Sequence, residues 1–151
     1  MHKSNQAPPG GAAPKQILLV DDDECFRRLI TYRLESLGYR VTAESESKIA
    51  LARFRHNPES FDVVLTDLSM PELSGFDFAQ QVLSIRPAIP VIGMSGTLCA
   101  EDRDIASCMG WWALIGKESA TEELPRELAR LFCAQAPVAA TQSLRADDLK
   151  C

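Results

Sequence analysis

Long apolar runs are missing from this 151-residue sequence. No run approaches the roughly 20 residues that a membrane-crossing helix needs. The first residues lack the charged-then-apolar order of a secretory leader. Basic charge is short as well, with 16 Lys and Arg against 21 Asp and Glu and a formal net charge of −5. A chain that grips nucleic acid through its phosphates wants a basic face, so this balance argues against a nucleic-acid partner. Cysteine is unpatterned. The five (Cys25, Cys99, Cys108, Cys133 and Cys151) are odd in number and contain no C-x-x-C pair. That argues against a disulfide framework and a zinc site, and suits reduced thiols in a cytoplasmic protein. Histidine is nearly absent: His2 sits near the N-terminus and His56 beside Asn57-Pro58, neither in the setting of a phosphorylatable or catalytic histidine. There is no G-x-x-x-x-G-K-[ST] loop and no G-x-G-x-x-G, which argues against nucleotide and dinucleotide binding.

What is present is an ordinary globular composition, 46% hydrophobic and 25% charged. Residues 1–14 (MHKSNQAPPGGAAP) and 137–151 (PVAATQSLRADDLKC) have no apolar periodicity and read as flexible tails, the second with room for a short helix near its end. Between them, residues 15–136 suffice for one compact domain and show no internal repeat.

This core alternates two patterns. Short apolar runs at 17–20, 63–65, 91–94 and 111–115, with a weaker one at 39–43, read as strands. Helical spacing separates them. Phe26, Leu29, Ile30, Leu34 and Leu37 form a first stripe, which Gly38 ends. Ile49, Leu51, Ala52 and Phe54 form a second, stopped by Asn57-Pro58. Phe76, Phe78, Ala79, Val82, Leu83 and Ile85 form a third, stopped before Pro87, and 100–109 a weak fourth ended by Gly110. Leu124, Leu128, Leu131 and Phe132 mark a fifth, with Ser119 or Thr121 as N-cap and Pro125 in the first turn. Five βα units with nearly unbroken apolar strands predict a doubly wound α/β fold with a parallel sheet covered on both faces.

In such sheets ligands gather beyond the carboxyl ends of the strands. There the sequence places Asp21-Asp22-Asp23-Glu24, then Asp67, then Ser95-Gly96-Thr97, then Lys117. Each taken singly has a structural reading: acids cap helices, an Asp or a Ser-Gly pair makes a turn, a lysine is solvated. Together they make a different inventory. Crowded carboxylates repel and call for a cation, and hard oxygen donors favour Mg²⁺. A carboxylate nucleophile with Mg²⁺, a lysine and a hydroxyl suits phosphoryl chemistry.

These residues resemble the receiver domain of two-component response regulators, over about residues 15–135. ILLVDDDE (17–24) resembles the family's first strand and acidic pair. DVVLTDLSMPELSGFDFA (62–79) resembles its phosphorylation segment, with the D-x-x-M-P-x-x-x-G spacing at Asp67, Met70, Pro71 and Gly75. PVIGMSG (90–96) resembles its fourth strand and hydroxyl residue. The resemblance implies a flavodoxin-like (βα)5 fold with strand order 2-1-3-4-5. It implies Asp67 as phosphoacceptor from a histidine kinase or histidine phosphotransfer protein. Mg²⁺ would be bound by Asp22 directly, by Asp21 through water, by Asp67, and by the Ser69 carbonyl. Ser95 and Lys117 would contact the phosphoryl group, while Ser69 and Thr97 stand where the family tunes its loss.

Two positions depart from the family pattern. Glu118 stands where the family usually has proline after the lysine, with a cis peptide; a non-proline cis bond costs about 2.5–4 kcal/mol, so a trans bond and a shifted loop are expected. Leu114 stands where an aromatic residue often reports phosphorylation, while Trp111 and Trp112 replace small residues. Adjacent strand residues point to opposite faces. One tryptophan is therefore expected in the core and the other as an exposed anchor on the face formed by the fourth helix, fifth strand and fifth helix, where the family commonly dimerises or binds a downstream partner. With no effector expected in residues 137–151, output would pass through that partner, a dimer or a phosphorelay. The rival readings are a never-phosphorylated interaction module, a receiver excised from a hybrid kinase, and an aspartyl phosphatase. The last usually shows Asp-x-Asp, which Asp67-Leu68-Ser69 does not. Beyond its own phosphorylation and dephosphorylation no enzymatic activity is expected.

Overall fold

The computed structural model describes residues 13–135. The tails expected at 1–14 and 137–151 lie outside these residues, apart from Ala13 and Pro14. Five strands, β1 (Gln16–Val20), β2 (Arg40–Glu44), β3 (Val63–Asp67), β4 (Val91–Ser95) and β5 (Ala113–Gly116), pair in parallel in the order β2-β1-β3-β4-β5. Five helices follow them in turn: α1 (Glu24–Ser36), α2 (Ser47–His56), α3 (Gly75–Ile85), α4 (Ala100–Cys108) and α5 (Ala120–Ala134). The architecture is the doubly wound, flavodoxin-like α/β fold expected from the alternation.

Every residue of β3 and β4 is buried. That is why these segments lack an apolar/polar alternation: both their faces are covered. Strand pleating splits the interior into two cores. Ile17, Leu19, Leu65, Ile92 and Met94 join Ile30 and Leu34 of α1 and Leu124 and Leu128 of α5. Leu18, Val20, Val64 and Val91 join Leu51 and Phe54 of α2 and Phe78 and Val82 of α3 on the other face. Burying each such side chain contributes about 1.5–3 kcal/mol. α1 starts where the Asp23 carboxylate accepts the Phe26 N–H at 3.2 Å. The chain leaves it through Gly38, whose φ of +99° suits glycine.

Several expected details differ. Leu29, Leu37 and Ile49 are exposed, because only the Ile30/Leu34 and Ala50/Leu51/Phe54 faces of their helices meet the sheet. β5 begins at Ala113, so both tryptophans precede it rather than lying within it, although the Trp112 N–H already donates to the Val91 carbonyl. Trp111 is buried against Phe76, their ring centroids 5.1 Å apart, and occupies the space that glycine leaves at Gly93. Trp112 is exposed and donates its indole N–H to Glu127 Oε1 at 3.1 Å. Ser119 does precede α5, but its hydroxyl contacts the Gly116 carbonyl and Glu123 rather than capping a backbone N–H. Pro125 lies in the second turn, not the first, because α5 starts at Ala120. A proline there leaves the carbonyl four residues back without a helical donor. That carbonyl belongs to Thr121, and Arg33 of α1 donates its Nε–H to it at 3.2 Å. The interruption of one helix thus fastens it to another.

Gly75 begins α3 with its N–H on the Leu68 carbonyl at 2.9 Å. A Cβ there would overlap the Asp67 carbonyl oxygen and lie 2.8 Å from Leu68 Cα. Backbone atoms cannot yield as a flexible side chain would. Gly75→Ala is expected to destabilise the fold by at least about 2 kcal/mol in urea unfolding; a wild-type midpoint would show that the loop after β3 gives way freely.

Candidate functional site

Strand register assembles the site. Val20 pairs with Thr66, so the next residues, Asp21 and Asp67, come side by side at the carboxyl ends of β1 and β3. Here the strand order reverses direction, the place where doubly wound sheets open a crevice. Ser95 pairs with Gly116, which sets Lys117 just beyond the end of β5. One carboxylate oxygen from each of Asp21, Asp22 and Asp67 lies within 4.8 Å of the others. Asp21 and Asp67 are buried and Asp22 is exposed. The Lys117 ammonium reaches across the strand ends to Asp21 Oδ2 at 2.9 Å and Asp67 Oδ1 at 3.4 Å.

The Asp21 carboxylate is itself held. Asp21 Oδ1 accepts the Asp23 N–H at 2.9 Å, and the Asp21 carbonyl accepts from Arg27 Nη1 at 2.8 Å. Asp21 Oδ2 has the lysine as an ionic neighbour but no well-directed hydrogen bond, which leaves a buried oxygen able to take a further positive partner. The Phe26 ring lies over the Lys117 ammonium, its centroid 4.7 Å from Nζ.

Sequence reasoning placed Asp21, Asp22, Asp67 and Lys117 in one pocket, and the structure brings all four together. Ser95 ends β4 as expected, but its hydroxyl is engaged within its own loop. It donates to the Thr97 carbonyl at 3.0 Å and accepts the Thr97 N–H at 3.1 Å. Ser69 lies two residues past Asp67, its side chain exposed. No cis peptide occurs among the described residues, so the Lys117–Glu118 bond is trans. Lys117 opens a short 3₁₀ turn, Lys117–Ser119, and its ammonium still meets both carboxylates. Two residues at the site were not singled out from sequence. Phe26 reads there as a core position, and Arg27 as one more charge on a helix. Their only signal is place: both lie in the first turn and a half after an acidic run that ends a strand.

The charges are out of balance. Burial pushes the Asp67 carboxyl up to about 6, reinforced by repulsion from Asp21 and opposed by Lys117. Burial also raises Asp21, against the lowering by the Lys117 ammonium and the Asp23 N–H. For Lys117 burial acts downward, but Asp21 and Asp67 together outweigh it and hold the ammonium above the ordinary lysine range. One lysine between buried carboxylates leaves net negative charge in a poorly solvated pocket. A small hard cation fits this donor set: three carboxylates, one with an undirected oxygen.

Comparison with known proteins agrees with this fold. The family model for the response regulator receiver domain matches residues 17–129. The chain is 30% identical over 113 residues to the sensor histidine kinase RcsC of Salmonella typhi, covering 75% of this chain and 12% of the kinase. It is 35% identical over 82 residues to the response regulator receiver protein CpdR of Brucella abortus, covering 54% of this chain and 67% of that protein. The crystal structure of the Vibrio cholerae chemotaxis protein CheY4 superposes with a TM-score of 0.72 at 27% identity, covering 78% of this chain and 98% of that one. Several of the curated relatives are far longer than this chain, which spans 11% of one and 21% of another. Sheet order, acidic pocket and family model converge, and the chain belongs to the response regulator receiver domain family.

Proposed function

We propose that this receiver domain accepts a phosphoryl group on Asp67, in a reaction that needs Mg²⁺. The single observation that carries the reading is the packing of Asp21, Asp22 and Asp67 around one lysine. Asp22, the exposed member, would bind the ion directly, Asp21 through water, and Asp67 and the Ser69 carbonyl would complete the protein ligands. The bound ion would neutralise oxygens of the transferring group. The residues do the rest. An Asp67 carboxylate oxygen attacks phosphorus while the bond to the donor breaks, its electron pair leaving with the donor. For a phosphohistidine donor that pair goes to the imidazole nitrogen; for acetyl phosphate it leaves as acetate. Lys117 faces Asp67 from the side and offsets charge on the phosphoryl oxygens. To donate to the phosphoryl group Ser95 gives up the bond it donates to the Thr97 carbonyl, so modification would disturb the loop after β4.

The donor on this reading is a histidine kinase or a histidine phosphotransfer protein, and the setting is cytoplasmic. No helix among the described residues is long and apolar enough to cross a membrane. Exposed Trp112, beside α5, supports an α4–β5–α5 face that meets a downstream protein or a second copy. The match to the kinase RcsC over 75% of the chain favours a second setting, in which the same chemistry belongs to the receiver of a hybrid kinase.

Acetyl phosphate with Mg²⁺ is expected to add one phosphoryl group by intact mass. Asp67→Asn and chelation of the ion are each expected to abolish it. A wild type that binds Mg²⁺ and gains no mass would instead mark a constitutive interaction module.

The charge imbalance predicts a pH dependence. An aspartate raised from 3.8 to about 6 in the fold holds its proton more tightly there than in the unfolded chain. Its destabilising effect is therefore absent below pH ~4, grows through pH ~6 and is complete above it. In metal-free buffer Asp67→Asn is expected to stabilise the fold at pH 7.5 by the order of 2–3 kcal/mol and to change little at pH 4. Mg²⁺ is expected to close most of that gap at pH 7.5. Equal melting temperatures of wild type and variant at pH 7.5 without metal would contradict the imbalance.

A further inference from the structure

We propose that Phe26 is a positioning residue for Lys117, holding the ammonium against Asp21 and Asp67 with the face of its ring. The inference rests on the phosphoacceptor reading above and adds a residue to it.

Three contacts surround the ammonium: Asp21 Oδ2 at 2.9 Å, Asp67 Oδ1 at 3.4 Å and the Phe26 ring centroid at 4.7 Å. A lysine carries its charge on a flexible four-carbon stem and loses much freedom when fixed. Its backbone here has no proline to restrict it, since Glu118 follows. The side-chain surroundings must supply the restraint. A ring face suits the task. It attracts a cation through its quadrupole, it cannot take a proton, and it offers no oxygen to compete with the carboxylates or with an incoming phosphoryl group. Another carboxylate at this spot would aggravate a pocket already crowded with acids, and an aliphatic side chain would fill the space without attracting the charge.

The ring is in turn well anchored. Its own N–H is the one the Asp23 carboxylate caps, so the acidic run that supplies Asp21 and Asp22 also starts the helix that presents Phe26. Next in the chain, Arg27 bonds the Asp21 carbonyl at 2.8 Å, tying that helical turn to the pocket. Further along the same helix, Arg33 bonds Thr121 of α5, beyond the loop that carries Lys117. α1 is thus fastened to the end of β1 by Arg27 and to α5 by Arg33, with the ring and the ammonium between. Phe26 is half-buried and packs on the α1/α5 core, so bulk alone is a competing explanation for its presence.

The test separates ring from bulk with Phe26→Leu and Phe26→Tyr in the full chain. Leucine keeps apolar volume and loses the quadrupole; tyrosine keeps both. With saturating Mg²⁺ and acetyl phosphate, Phe26→Leu is expected to slow phosphoryl uptake by about three- to fivefold, and Phe26→Tyr to stay within about twofold of wild type. Mg²⁺ affinity of both variants is measured by calorimetry, and the ion is kept saturating for each, so that slower uptake does not reflect lost metal. A second readout does not depend on phosphorylation. The Lys117 ¹⁵Nζ–¹H₃ signal is expected to be visible by NMR in wild type and Phe26→Tyr, where the ammonium is held, and lost to fast exchange in Phe26→Leu. Should the wild type accept no phosphoryl group, the phosphoacceptor reading fails and the ammonium signal alone decides this inference. A leucine variant with the wild-type rate, or with an undiminished Lys117 signal, or a tyrosine variant no better than leucine, would overturn it.

Discussion

The structure turns on a repulsion. Pairing of β1 with β3 puts Asp21 and Asp67 next to each other at the edge of a buried sheet, where neither can ionise freely. The two strands are apolar and covered on both faces, so the register is strongly specified and the carboxylates cannot drift apart. Lys117 is the local remedy and an incomplete one, since one ammonium is divided between two acids with a third close by. Everything around the pocket serves to keep that strained grouping in place: the Asp23 N–H on Asp21, Arg27 on the Asp21 carbonyl, and Gly75 with no side chain to push against Asp67. A fold that tolerates such a cluster sacrifices stability at the site proposed to react.

Much of this was legible in the sequence. The unbroken apolar runs that became β1, β3 and β4 carry their meaning alone, because a strand buried on both faces has no other composition to choose from. The polar residues following them could then be placed at one edge of the sheet without coordinates. β2 was fainter because it is an edge strand, partly exposed along its length, and its apolar residues need face only one side. The tryptophans show where local reasoning stops. Alternation implied one buried and one exposed, and Trp111 and Trp112 obey it. Yet both lie before β5, since bulky residues at a strand entrance look the same in sequence as residues within it.

What could not be read came from tertiary encounters. The second-turn Pro125 looks tolerable or harmful depending on whether a donor arrives for the Thr121 carbonyl, and Arg33 arrives from a helix 88 residues earlier in the chain. Phe26 belongs to an apolar stripe and gives no sign in one dimension that its ring covers an ammonium. Ser95 was placed correctly at the end of β4, but its present bonds to Thr97 depend on loop geometry that no spacing encodes. On the proposed function that engaged hydroxyl and the undirected Asp21 oxygen belong to the resting pocket, and each would gain a better partner with the cation and the phosphoryl group.

The three carboxylates are proposed to form one cation site, which is tested most directly by locating the ion. Mn²⁺ shares the oxygen preference and octahedral habit of Mg²⁺ and broadens nearby nuclear resonances. Titrated at substoichiometric amounts into isotopically labelled protein, it is predicted to bleach the amide signals around Asp21, Asp22, Asp67 and Ser69 first, with excess Mg²⁺ restoring them. Broadening spread over the other surface carboxylates, or none in this pocket, would contradict the account.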